Sequence, residues 1–340
     1  MKRTLLAITV VIFCFLTATI AYSADLKPIR IGWQPTTTVE AQIAHTLAKT
    51  NILEKNGLNG VPTMFSYGPA VNEALISGAI DVGFIGDMPS VLLTAAGASV
   101  NIIARQSVFR GSIVASTKSG IKTIGDLKGK KVYGPFGSSI YLAAVAMLKQ
   151  AGMQPGKDVE ILNMGFADLA DALKADRIDA FFVWDPWIEM FEKQGMVRVI
   201  KSDTSLTMVV VMRSDYLKAN PAAAESFVKS HKEALFFAAK NHGLANQWFR
   251  EPEAARRLEI EIIEAATAYD PQWNAKSLKD IRLSFSQTEL DRYLGLGKTA
   301  HELKITQKPA PLSERLDLSM AKKFDATEWN FDPASVQVKK

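Results

Sequence analysis

Short apolar runs alternate with amphipathic stretches from residue 28 to residue 212. Runs at 29–33, 62–67, 80–85 and 100–106 carry the β-branched and aromatic residues that favour strands. Between them, 38–49, 70–77 and 89–96 place apolar residues three and four apart, the spacing of a helix with one buried face. A second series follows, with strands at 112–116, 131–133, 159–163, 179–184 and 197–200 and helices at 139–151, 169–175 and 186–194. A last strand is predicted at 208–212. Strands this short and apolar, separated by helices, predict an α/β fold with parallel-type sheets covered on both faces. After that strand the character changes, and residues 214 to about 325 read mostly as helix.

The two series echo one another. At a constant offset of 98 residues, Ala74, Leu75, Ile80, Asp81, Phe84 and Asp87 recur as Ala172, Leu173, Ile178, Asp179, Phe182 and Asp185. Each copy ends in a strand, an aspartate, a proline within two residues and a helix. Aspartate caps a helix and proline tolerates its first turn. Each such loop leaves the carboxyl end of a strand, where ligands of open α/β sheets bind. The pattern predicts two α/β lobes whose loops face one cleft.

Composition narrows the class. The 340 residues are 48% hydrophobic and 22% charged, an ordinary globular balance that excludes a disordered chain, collagen and a multi-span membrane protein. Lys2 and Arg3 precede the uncharged stretch 5–20 and the small-residue exit Ala21-Tyr22-Ser23-Ala24, which read as a signal peptide over 1–24. Its removal takes the net charge from +5 to +3, too weak and too evenly spread for nucleic-acid binding. Cys14, the only cysteine, is in the same segment. The mature chain therefore has no thiol for a disulfide framework, a zinc site, an iron–sulfur cluster or a nucleophile. The expectation is a soluble, exported, periplasmic protein.

Three segments are candidates for ligand contact. Gly134-Pro135-Phe136-Gly137-Ser138-Ser139 follows a strand and opens a helix, where free backbone N–H groups and the helix dipole favour an anion. Its spacing is not that of a nucleotide P-loop, and serine there also serves as a plain N-cap. The loops at Asp87 and Asp185 read equally as helix caps and as pocket walls, as does Asp168 after Phe166-Ala167. Trp184 ends a strand at the cleft, as does Trp33 before Gln34, whereas Trp187 reads as packing. Catalysis is poorly supplied: His45, His231, His242 and His301 share no metal spacing, and no pair of carboxylates stands out as an acid–base couple.

Several of these stretches resemble the periplasmic substrate-binding proteins of ABC importers for alkanesulfonates, taurine and nitrate. The resemblance is carried by 120–194, which begins GIKTIGDLKGKKV and reaches IDAFFVWDPW, and by GWQP, SGAIDVGFIGDMP and AAGA. It runs from about residue 28 to 215 and more loosely beyond. It implies the two-lobed type II binding-protein fold, with residues 25–110 and 206–340 in one lobe, 111–205 in the other, and crossings near 109–112 and 205–211. The implied pocket uses Gln34, Asp87, Met88, Gly137, Ser138, Ser139, Asp168, Trp184 and Asp185, with no metal, cofactor or catalytic residue. The implied partners are a small anionic ligand and a membrane permease with its cytoplasmic ATPase, served by a monomer.

Two departures bear on the ligand. Trp33 stands where the family usually has tyrosine, and Gly134-Pro135-Phe136 stands where the sulfonate group usually has a Gln-Lys pair. Arg105 and Arg110, near the first crossing, are the alternative anion partners, with a structural role the simpler reading for both. A sulfonate or taurine-like compound is expected, with nitrate, a carboxylate or a pyrimidine-like metabolite behind it. Two enzyme types on this architecture, a thiamine-pyrimidine synthase and porphobilinogen deaminase, depend on cysteines that the mature chain lacks. A ligand-sensing domain ranks last.

Overall fold

A computed structural model describes residues 26–339. The expected signal peptide lies outside the described residues. Ten strands occur in chain order: β1 (Lys27–Pro28), β2 (Ile31–Trp33), β3 (Leu58–Asn59), β4 (Pro62–Met64), β5 (Val82–Gly86), β6 (Val100–Ser116), β7 (Lys131–Gly134), β8 (Glu160–Asn163), β9 (Ala180–Trp184) and β10 (Val197–Arg213). Among them run α1 (Thr38–Lys49), α2 (Ile52–Lys55), α3 (Gly68–Ser77), α4 (Asp87–Ala95), α5 (Ser139–Gln150), α6 (Phe166–Lys174) and α7 (Trp187–Lys193). The later chain supplies α8 (Ser214–Ala219), α9 (Pro221–Lys240), α10 (His242–Phe249), α11 (Ile260–Thr267), α12 (Gln287–Glu302), α13 (Leu312–Arg315) and α14 (Ser319–Ala326).

Eight strands form one sheet in the order β4-β2-β5-β10-β6-β9-β7-β8. It is parallel at each end, β4-β2-β5 and β9-β7-β8, and antiparallel where β10 and β6 join them. The expected parallel sheets are thus the two ends of one mixed sheet. In β5 and β9 every residue is buried, because helices cover both faces.

The centre of the sheet departs from the sequence pattern. The pattern breaks between the strands expected at 100–106 and 112–116 and between those at 197–200 and 208–212, yet β6 and β10 each run unbroken for 17 residues and pair along their length. Arg105, Gln106, Arg110 and Ser112 make β6 look interrupted, but all four are buried in the sheet. Both arginines are neutralised there: Arg105 Nε is 3.0 Å from Glu289, and Arg110 grips Asp185. Register shifts between Met208 and Val209 and between Asp203 and Leu206 bend the ladder near its middle.

The helical remainder buttresses the first half of the sheet. Helix α9 buries Phe227, Phe236 and Phe237. Helix α12 leans on α4, where the Ser90 and Tyr293 hydroxyls are 2.6 Å apart and Arg292 reaches Asp87 at 2.9 Å. That contact fixes the start of α4, which borders the site.

Candidate functional site

Four helices begin at one half-open space. The residues preceding α1, α3, α4 and α5 are Thr37, Tyr67, Gly86 and Ser138, and all four line this cavity. None of them caps its helix with a side-chain hydrogen bond. The Thr37 hydroxyl donates instead to Glu40 at 2.7 Å, and that of Ser138 to the Pro135 carbonyl at 2.7 Å. First-turn N–H groups without caps need partners from outside the helix. At α4 the Met88 N–H is taken by Asp87 and Pro89 has none, so it is chiefly the starts of α1, α3 and α5 that make the cavity favourable to negative charge.

A side chain adds a donor. Ser139 Oγ faces this space with no hydrogen-bond partner among the described residues, and Gln34 lines it with its side-chain amide bonded back to Glu40. Gly86 lets α4 approach α5: a Cβ there would strike Ser139 Oγ. Phe109, Ile140, Met208 and Trp184 supply apolar wall. No Asp, Glu, His, Cys, Lys or Arg lines the cavity.

Behind the Thr37 wall, Glu40 is fully buried and accepts from the Gln34 backbone N–H at 3.0 Å. Burial pushes its carboxyl up to about 8, against the opposing pull of the Thr37 and Gln34 hydrogen bonds. At neutral pH the group behind the wall is thus largely uncharged.

The nine expected contact residues divide. Gln34, Ser138, Ser139 and Trp184 line the cavity, and Asp168 lines an adjoining recess. Asp87, Met88, Gly137 and Asp185 line neither. Asp87 accepts from the backbone N–H groups of Met88 and Thr207 and pairs with Arg292. Met88 is fully buried in the core. Gly137 adopts φ +78° in the turn before α5 and faces Leu92. Asp185 holds Arg110 through two bonds, at 2.8 and 2.9 Å, and burial pushes its carboxyl up to about 6. Arg105 and Arg110 are occupied by carboxylates, the structural role the sequence suggests.

The sequence reading passes over Thr37, Tyr67, Phe109 and Met208. Tyr67 carries a usable signal, since Gly68-Pro69 after a strand marks a helix start. Trp187, expected only to pack, is buried and also donates its indole N–H to the Thr36 carbonyl at 3.1 Å. Trp184 donates to the same carbonyl at 2.8 Å, tying β9 to the loop after β2.

The chain resembles known proteins in sequence and in fold. A protein of Escherichia coli (strain K12) named as binding aliphatic sulfonates is 34% identical over 216 residues, or 62% of this chain and 65% of that one. The match thus spans a little under two thirds of that relative's length. The taurine-binding periplasmic protein of the same organism is 27% identical over 248 residues, 71% of this chain and 75% of that one. Among solved structures, the alkanesulfonate-binding protein SsuA of Xanthomonas axonopodis pv. citri, bound to MOPS, superposes with a TM-score of 0.72. It is 20% identical and covers 86% of this chain and 99% of its own. The nitrate-binding protein NrtA of Synechocystis PCC 6803 gives a TM-score of 0.69 at 16% identity, covering 88% of each chain. These two likenesses establish a shared fold. The NMT1/THI5-like family profile matches residues 68–243, over half of the sequence, and the chain belongs to that family.

Proposed function

We propose that this protein is the exported ligand-capture component of an ABC importer. It takes up a small organic anion, an alkanesulfonate or taurine-like compound, and delivers it to a membrane permease. The observation that carries the reading is the convergence of four helix N-termini, those of α1, α3 and α5 without side-chain caps or a first-turn carboxylate partner for their N–H groups, on a cavity with a free Ser139 hydroxyl. An anion held by neutral donors keeps its charge satisfied without a strong ion pair, so it is bound yet releasable. The relatives named for sulfonate and taurine binding support the ligand class.

In this reading residues 25–110 and 206–340 form one lobe, 111–205 form the other, and the cavity lies between them in a monomer. The ligand leaves chemically unchanged. The cavity lining supports that, because it holds no carboxylate, imidazole, thiol or amine to act as nucleophile or general base.

Calorimetric titration with ethanesulfonate and taurine, beside nitrate, acetate and a pyrimidine, tests the proposal. The sulfonates bind, and at about 100 times its Kd a ligand stabilises the fold by about 2.7 kcal/mol. Mass spectrometry returns the ligand intact. Binding of nitrate, acetate or the pyrimidine with no response to either sulfonate refutes the ligand class, and consumption of the ligand refutes the transport role.

A further inference from the structure

Two tryptophans beside β9 donate to a single carbonyl beside β2, at the other end of the sheet. Trp184 closes β9 and Trp187 opens α7, and both indole N–H groups reach the Thr36 oxygen, at 2.8 and 3.1 Å. A carbonyl has two lone pairs, so it satisfies both donors at once. Trp184 is also cavity wall, whereas Trp187 lines neither the cavity nor the recess beside it. Thr36 lies in the loop between β2 and α1, 148 residues from Trp184 in the chain. Under the lobe division proposed above, Thr36 is in one lobe and both tryptophans are in the other.

Each side of the contact is fixed by its own partners. Between the tryptophans, Asp185 is gripped by Arg110 through two side-chain bonds, and its backbone N–H donates to the Arg110 carbonyl at 3.1 Å. The turn so held presents two rings, three residues apart, to one point. Phe166 packs against both, its ring centroid 4.6 Å from that of Trp187 and 5.9 Å from that of Trp184. On the other side, Glu40 accepts from the Gln34 backbone N–H and from the Thr37 hydroxyl, which brackets Thr36. Donors and acceptor held in this way lose little freedom when they pair. The ion pair of Lys193 with Glu259 also joins residues 111–205 to the later chain, but both groups are exposed and water leaves it little strength.

We propose that the Thr36 carbonyl and the indole N–H groups of Trp184 and Trp187 form a latch: they pair when the lobes close on a ligand, and they set the rate at which it leaves. Trp187 is then a positioning residue that acts on the ligand only through the lobes. The assignment rests on the two-lobe capture reading and adds the contact that holds the closed form. With the lobes apart, water replaces each bond, so the net gain per bond is modest and closure stays reversible. The effect falls on release, because ligand enters before the latch forms.

Trp187→Phe keeps an aromatic ring and removes one N–H, leaving the Thr36 carbonyl its bond from Trp184. In stopped-flow measurements with ethanesulfonate, the variant releases ligand about fivefold faster and takes it up at a rate within about twofold of the parent. A ring that only packs would lower the urea stability of the ligand-free protein and leave release unchanged, and that result overturns the proposal. The parent supplies a test that needs no variant. Saturating ethanesulfonate slows hydrogen exchange at the Trp184 and Trp187 indoles by about tenfold or more, while Trp329, which donates to Glu233 at 2.7 Å among the later residues, exchanges alike in both states. Equal exchange at Trp184 and Trp187 with and without ligand overturns the latch and leaves the capture reading standing. If neither ethanesulfonate nor taurine binds, the ligand class fails, and the same measurements with whichever of nitrate, acetate or the pyrimidine binds decide the latch. Silence from all five refutes the capture role, and this inference with it.

Discussion

Glu40 gives a quantitative test of the site's construction. Its carboxyl is fully buried against the Gln34–Thr37 loop, and its pKa moves from an ordinary 4.5 to about 8 on folding. The folded protein therefore holds a proton there that the unfolded chain releases. Between about pH 4.5 and pH 8 stability falls as pH rises, and the loss levels off above pH 8. At 1.36 kcal/mol per pH unit, the full displacement corresponds to roughly 5 kcal/mol, an upper bound because water entry and relaxation reduce it. Even a loss of about 2 kcal/mol is a large part of a typical folding free energy. Glu40→Gln keeps the shape and removes the titration. Urea unfolding of both proteins from pH 5 to pH 8.5 isolates the effect, since other groups titrate alike in each. The variant should gain on the parent as pH rises, by about 2–5 kcal/mol across the range. Parallel stability curves would refute the buried, proton-holding Glu40. Ionised Glu40 behind the cavity also repels an anion, so sulfonate affinity of the parent should fall above pH 8 and that of Glu40→Gln should not.

Other predictions concern single groups. His231 is fully buried with both ring nitrogens unpartnered, and burial pulls its pKa to about 3. The unfolded chain binds the proton below about pH 6.5, so stability is lost as pH falls from there; His231→Phe, stacked like its neighbour Phe227, should flatten that acid limb in thermal melts. Ser139→Ala should weaken sulfonate binding about tenfold to a hundredfold in calorimetry, with stability nearly unchanged. Ser138→Ala, which loses only the bond to Pro135, should cost about 1 kcal/mol of stability and leave affinity within about threefold. Arg292→Met leaves Asp87 buried and unpaired and should cost about 3–5 kcal/mol in urea unfolding, with much of it restored by adding Asp87→Asn; a loss under about 1 kcal/mol would contradict the structural role of Asp87.

What the sequence discloses follows from where each interaction partner lies. Strands β5 and β9 are legible because burial on both faces leaves an unbroken apolar run. Gln34, Ser138, Ser139 and Trp184 are legible as cavity residues because strand ends and helix starts are local events. The middle of β6 is not, since Arg105 and Arg110 are tolerated there only through Glu289 and Asp185, which the chain supplies far away. The same limit misplaces Asp87 and Asp185. A helix-capping aspartate beside a cleft looks available for ligand until an arginine is found on it, and those arginines lie 205 and 75 residues off. Repetition of the Asp loop at an offset of 98 residues is a true structural correspondence, with α4 following β5 as α7 follows β9. It indicates matching positions for the two carboxylates, and both turn out to be arginine partners.

The long pairing of β6 with β10 also governs the order in which the molecule can be assembled. Gly86 of β5 lies opposite Met208 of β10, and Val100 of β6 opposite Arg213. Until residue 213 has been synthesised, β5 and β6 lack the strand that lies between them, and the first half of the sheet has an open seam. Contacts so distant in sequence slow folding, because the closure entropy is spent before the pairing repays it. Under the proposed export of the chain, that delay is useful. The N-terminal third emerges first yet cannot close its sheet, so the polypeptide stays threadable while the export machinery engages it. A circular permutant that brings β5 and β10 close in sequence would fold sooner and should be exported less efficiently.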